Sequence, residues 1–180
     1  MRQNWQMWSG GLSDIDMATI FREASRVNTQ PASTFNNADT SVRSSDVAWL
    51  TGNNLVQDII WQYVKAANDA AFHFQIENAC DIQYTEYHAV KKGHYDWHID
   101  VNWNGDTPRD RKLSVTVQLS DPSEYEGGAF MFSECETPDD SARVKGTVLV
   151  FPSYLQHRVL PITRGTRKSL VAWFEGPRWI

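Results

Sequence analysis

The chain has 180 residues, with 17 Lys+Arg against 22 Asp+Glu for a formal charge of −5, 41% apolar residues, 10 Gly and 7 Pro. These values suit one globular domain with a buried core and exclude a disordered, collagenous or low-complexity chain. The longest apolar run, Leu170 to Phe174, is too short for a membrane helix, no signal-type stretch follows Met1, and Cys80 and Cys135 cannot build a disulfide framework, so a cytoplasmic protein with neither membrane nor nucleic-acid partner is expected.

The segment Ser13-Asp-Ile-Asp16 predicts a helix start, and the helix near 13–26 can bury Ile15, Ile20, Phe21 and Ala24 on one side. Residues 27–46 are rich in Asn, Thr, Ser and Asp and show no period, as expected of a long loop that serves as a lid. Asn53 or Asn54 caps a second helix, in which Leu55, Ile59, Ile60, Tyr63, Val64 and Ala67 form an apolar stripe that backs a sheet.

After Ala71 the period changes to two. Phe72, Phe74 and Ile76 alternate with His73 and Gln75, and Ile82, Tyr84 and Glu86 open a further strand. Leu113, Val115, Val117 and Leu119 alternate with Ser114, Thr116 and Gln118, which makes one face apolar and the other small and polar. A polar face without Lys or Glu suits a barrel or jelly roll that encloses a polar ligand, both faces being buried. Turn signals at Asn104-Gly105, Asp121-Pro122, Gly127-Gly128 and Arg164-Gly165 separate strands at 129–132, 147–151 and 168–174. The whole, 1–180, is expected to be a single domain, with helices and lid loop in 1–71 and a jelly-roll core in 72–180.

Of the five histidines, His98 stands two residues before Asp100, a spacing that on a strand aims both side chains at one face. Such a pair is either a metal site or a hydrogen-bonded structural pair. His157, beyond the strand at 147–151 and the turn Pro152-Ser153, can be brought alongside, and two imidazoles with one carboxylate make the facial triad that binds Fe(II). Arg167 lies on an otherwise apolar strand. It either pairs with a surface carboxylate or receives a ligand carboxylate inside the barrel through its planar fork.

Taken together, Tyr84-Thr-Glu-Tyr87, Gly93-His-Tyr-Asp-Trp-His98-Ile-Asp100, Arg111 to Leu119, Tyr125 to Phe130, Phe151-Pro-Ser153, His157 and Gly165-Thr-Arg167-Lys-Ser169 to Trp173 resemble the Fe(II)/2-oxoglutarate oxygenases, and among them the prolyl hydroxylase group. The resemblance implies a mainly β fold with supporting α-helices, a double-stranded β-helix (cupin-like jelly roll). It implies that His98, Asp100 and His157 hold the metal, that Arg167 anchors 2-oxoglutarate, and that O2 is consumed, with ascorbate as reductant. It further implies that Tyr87, a residue or two farther from His98 than in the family pattern, helps hold the cosubstrate. Gln118 stands where some relatives carry a second tyrosine and can offer its amide as a donor, while Ser169 and Trp173 line the pocket. Asp100 favours hydroxylation over halogenation, and Trp97, Val148, Val150 and Phe151 are expected to keep water from the site.

The function so implied is hydroxylation of a C–H bond of a prolyl residue in a peptide or protein, with a free amino acid or small metabolite as the alternative substrate. Two other classes stand beside it: a non-catalytic jelly-roll binding module, and a zinc hydrolase on the same ligands, which leaves Arg167 without a role. His94, Trp97 and Trp103 are candidates for substrate contact, and the loops at 27–46, with Arg43, Ser44 and Ser45, and at 104–111 are expected to set substrate choice. His73 and His88 are background.

Overall fold

The computed structural model describes residues 3–32 and 41–180. Its chain order is β1 (Gln6–Trp8), α1 (Asp14–Ala24), β2 (Gln30–Pro31), β3 (Arg43–Ser44), β4 (Asp46–Trp49), α2 (Asn54–Ala67), β5 (Cys80–His88), β6 (His94–His98), β7 (Arg109–Gln118), β8 (Tyr125–Gly127), β9 (Phe130–Phe132), β10 (Val148–Pro152), β11 (His157–Val159) and β12 (Ile162–Pro177). All pairings among these strands are antiparallel. The larger sheet runs β1-β10-β7-β12-β5-β4-β2, with β8 added beside β12, and the smaller one runs β3-β6-β11-β9. Two facing sheets with helices behind the larger one are the expected jelly roll. The sheets also recruit β1 to β4 from before residue 72, where the sequence offers helices and a loop.

Both helices start where their caps predict. The Ser13 side chain accepts from the Asp16 amide at 3.1 Å, and that of Asn53 accepts from the Val56 amide at 3.1 Å, each satisfying a donor left open by the first turn. The buried faces differ from the expected stripes by one position. Met17 joins Ile20 and Ala24 in the core while Ile15 is 79% exposed, and Val56, Ile60, Val64 and Ala67 are buried while Leu55 is 56% exposed. α2 packs against β10 and β7 of the larger sheet and α1 packs against α2, and those contacts select these rows over their neighbours.

The expected strand at Phe72–Ile76 does not form. Residues Asn68–Phe72 continue α2 as a π-helical turn that ends on His73 at φ 55°. The Asn68 side chain then accepts from the Phe74 amide at 2.8 Å and donates to its carbonyl at 2.9 Å, supplying the bonds of a strand neighbour. Phe72, Phe74 and Ile76 still pack against the helix-side core, so their apolar spacing has a cause other than a sheet. Of the expected lid at 27–46, residues 33–40 lie outside the described residues, and the remainder includes β2, β3 and the start of β4.

At the centre of the larger sheet, β7 turns Leu113, Val115 and Val117 into the helix-side core and Ser114, Thr116 and Gln118 toward the space between the sheets. Both faces of β7 are covered. The expected turn at Arg164-Gly165 is instead a kink within β12, which pairs with β8 at its start and then runs between β5 and β7. Gly165 sits at φ 71°, and a Cβ there would overlap the Glu124 carbonyl oxygen, so the kink needs glycine.

Candidate active site

The metal-capable side chains meet because of sheet register. His98 ends β6, His157 opens β11, and the two are directly paired across the smaller sheet. Asp100 does not share a strand with His98 as expected. It lies past the end of β6, where its amide donates to the Ser153 carbonyl at 2.9 Å and turns the chain back beneath the two rings. The candidate ligand atoms of His98, Asp100 and His157 all lie within 4.8 Å of one another. Nε2 of His98 is 3.6 Å from Asp100 Oδ1, and Nε2 of His157 is 3.5 Å from Oδ2.

The protons around these atoms are placed by their neighbours. Nδ1 of His98 faces the Asp96 carbonyl at 2.7 Å and Nδ1 of His157 the Leu155 carbonyl at 2.8 Å. A carbonyl can only accept, so each Nδ1 donates its proton there, which leaves Nε2, facing Asp100, as the nitrogen able to ligate a metal. Burial, with help from the neighbouring His157, holds His98 down at about 4, so its ring is neutral at ordinary pH. Burial pushes the Asp100 carboxyl up, but the charge that His157 and His98 carry when protonated, together with the Ser114 hydroxyl, outweighs it and holds the carboxyl below the usual range. That hydroxyl donates to Asp100 Oδ2 at 2.7 Å. Buried Asp100 and His157 and half-buried His98, two imidazole nitrogens and a carboxylate converging on one point, fit a divalent transition metal such as Fe(II).

Aromatic rings fix the imidazoles. Tyr95 stacks on His98 at 3.4 Å, and Phe151 and Phe130 pack against His157 at 4.8 and 5.5 Å. Burial raises the Tyr95 hydroxyl to about 12, so it stays protonated. The triad opens on a cavity between the sheets. Arg167, Tyr87, Ser169 and Trp173 line that cavity. Arg167 and Tyr87 are register partners on β12 and β5, with the guanidinium carbon 5.7 Å from the phenol ring. Arg167 is 5% exposed and, among the described residues, has no carboxylate within ion-pair distance. The surface ion pair that the sequence left open is therefore not made by any described residue.

Gln118 falls elsewhere. It lines adjoining hollows that share Arg167, and its amide nitrogen donates to the Ser120 carbonyl at 3.1 Å and the Tyr125 hydroxyl at 2.9 Å. Both amide protons are committed, so the expected donor role is corrected: the group left without a partner is its carbonyl oxygen, an acceptor. Trp97 points away from the cavity with the Arg158 guanidinium 4.4 Å over its ring, Trp103 is 51% exposed, and Val148 and Val150 belong to the helix-side core. Of the four expected water-excluding residues only Phe151 faces the site, where Phe130, Val159 and Val171 join it. His94 lies outside the cavity, its ring nitrogens 2.8 and 2.9 Å from the Lys92 and Ser41 carbonyls. His88 bonds Thr166 at 3.0 Å and lies beside Asp46 and Glu86. Ser114, Tyr95 and Phe130 were not singled out by sequence; the polar alternation of β7 was the available signal for Ser114.

A His-Asp-His cluster, a buried arginine with no carboxylate partner among the described residues, and a cavity thus lie together between the sheets of a jelly roll. Residues 82–175 match the 2OG-Fe(II) oxygenase superfamily, more than half of the chain, and the chain belongs to that superfamily. Curated relatives include PKHD-type hydroxylases from Synechococcus sp. (strain CC9902), 37% identical over 81 residues, and from Gloeothece citriformis, 38% identical over 84 residues. Each match covers 45% of this chain but only 36% and 37% of those relatives, so the chain spans little more than a third of their length. Among solved structures, a Pseudomonas putida prolyl-4-hydroxylase superposes with a TM-score of 0.73 at 20% identity, over 97% of this chain and 93% of that one. A viral collagen prolyl hydroxylase from Paramecium Bursaria Chlorella virus-1, in its 2OG complex, gives 0.70 at 21% identity over 97% of each chain. These likenesses show the fold. Among the described residues no helix is long and apolar enough to cross a membrane.

Proposed function

We propose that the chain is an Fe(II)- and 2-oxoglutarate-dependent dioxygenase that hydroxylates a C–H bond of a prolyl residue in a peptide or protein. The carrying observation is the joint placement of His98, Asp100 and His157 on one wall of a cavity that also holds the buried, carboxylate-free Arg167. Fe(II) in this site, with 2-oxoglutarate and O2, supplies an oxidant strong enough for an unactivated C–H bond while the cosubstrate becomes succinate and CO2. The protein contributes position and enclosure. The Nδ1 protons keep the imidazole lone pairs inward, Ser114 orients the carboxylate, and Arg167 receives the far carboxylate of the cosubstrate with its fork. Tyr87, Ser169 and Trp173 shape the wall beside Arg167, and Phe130, Phe151 and Val159 limit water near the metal. A zinc hydrolase or a binding module built on the same fold leaves the charge of Arg167 buried without an anion.

Succinate release from 2-oxoglutarate by anaerobically purified protein, given Fe(II), O2, ascorbate and a set of prolyl peptides, tests the reading. Background turnover together with no 2-oxoglutarate binding in calorimetry overturns it. Arg167→Ala is expected to retain metal and weaken 2-oxoglutarate binding by about 2–5 kcal/mol, the cost of leaving one partner of a buried charge pair alone; unchanged cosubstrate affinity removes Arg167 from this role.

A further inference from the structure

The cavity carries one arginine more than the cosubstrate uses. Its charged lining residues besides the two histidines are Arg167, Arg43 and Asp100. On the reading above, one carboxylate of 2-oxoglutarate joins the metal and the other meets Arg167, and Arg43 is left over. It is no surface residue: it is 8% exposed, and among the described residues no carboxylate lies within ion-pair distance of it. Its partners are neutral. Nε donates to Ser45 Oγ at 2.9 Å, Nη2 donates to Gln83 Oε1 at 2.6 Å, and the guanidinium carbon sits 4.7 Å over the Tyr95 ring. Neutral hydrogen bonds and a ring face offset only part of the cost of taking a guanidinium out of water, which an anion completes.

The position is as telling as the charge. Arg43 is paired with Tyr95 across β3 and β6, and Tyr95 stacks on His98, so Arg43 stands one aromatic ring away from the metal ligand. Arg167 stands over Tyr87 on the larger sheet, so the two guanidiniums approach the cavity from different sheets. The bonds to Ser45 and Gln83 hold the Arg43 fork before any ligand arrives and leave Nη1 without a hydrogen bond among the described residues.

We infer that Arg43 is a specificity-determining residue that binds a carboxylate of the primary substrate, so that this site takes a carboxylate-bearing substrate, with the acid close to the reacting carbon, rather than an internal residue of a chain. The inference rests on the proposed oxygenase chemistry and bears on its substrate: a C-terminal prolyl residue, or in place of a peptide the free amino acid, which share the α-carboxylate.

The test uses the full chain loaded anaerobically with Mn(II) and 2-oxoglutarate, with binding read by calorimetry. N-acetyl-L-proline and N-acetyl-L-prolinamide differ at the acid alone. The unaltered protein is expected to bind the acid about tenfold or more tightly than the amide, and Arg43→Gln to erase the difference while 2-oxoglutarate affinity stays within about threefold. Arg43→Lys, which keeps the charge without the fork, is expected to fall between them. L-proline binding more tightly than N-acetyl-L-proline assigns the acid to a free amino acid, and the reverse order assigns it to a chain terminus; both support the subsite. Equal binding of acid and amide, no binding of either acetylated ligand or of L-proline, or a preference that survives Arg43→Gln overturns the inference. So does loss of 2-oxoglutarate affinity in Arg43→Gln, which places Arg43 on the cosubstrate. Failure of the oxygenase reading shows separately, as absent 2-oxoglutarate binding by the unaltered protein.

Discussion

Removing the Ser114 hydroxyl tests how the carboxylate of the triad is held. Among the described residues, Ser114 is the only side chain that donates a hydrogen bond to Asp100, at 2.7 Å and fully buried. A hydrogen bond to a charged group is worth about 1.5–3 kcal/mol, and removing a partner that orients a metal ligand costs roughly 10–100-fold in metal affinity, about 1.4–2.8 kcal/mol. The two routes to the magnitude agree. Ser114→Ala is therefore expected to weaken Fe(II) or Mn(II) binding by about one to two orders of magnitude, measured anaerobically by calorimetry. Ser153→Ala is the control. Its hydroxyl lies 2.9 Å from Ser114 Oγ, one bond farther from Asp100, and its loss is expected to change metal affinity by less than about threefold. If Ser114→Ala binds metal as tightly as the unaltered protein with its thermal midpoint retained, or if Ser153→Ala loses as much, the orientation argument is wrong.

Two further predictions concern stability. His98 is held near 4 in the folded protein against an ordinary value of 6.5, so between these values the unfolded chain binds more protons and the metal-free fold loses stability as pH falls through that window. The full effect is roughly 3 kcal/mol, and the urea midpoint of His98→Gln should vary less between pH 7 and 5 than that of the unaltered protein; parallel curves would contradict the assignment. Gly165→Ala combines a positive φ with a carbonyl overlap at the β12 kink, and a loss of about 2 kcal/mol or more is expected in denaturant unfolding, with a smaller loss ruling out a rigid kink.

The elements that were legible are those whose cause is local. Ser13 and Asn53 cap helices through bonds within a few residues, and the alternation from Leu113 to Gln118 says by itself that β7 has one apolar and one polar face. The misreadings have one form. Phe72 to Ile76 has a strand's spacing, but Asn68 takes over the backbone bonds; Arg164-Gly165 has a turn's composition, but β8 and β5 extend the pairing through it. Gln118 has a donor's chemistry, but Tyr125 and Ser120 had already claimed it.

For the site, residue type and order along the chain were enough to nominate His98, Asp100, His157 and Arg167, because the chemistry of a metal triad and of a carboxylate fork depends on which groups are present. What the fold alone decided is which groups face each other: His157 opposite His98, Tyr87 opposite Arg167, Ser114 beneath Asp100, and Arg43 carried by a two-residue strand to the far side of Tyr95. The direction of a side chain from its strand is a local property with period two. The identity of its neighbour is set by register between strands distant in sequence, and that register is a property of the assembled sheets.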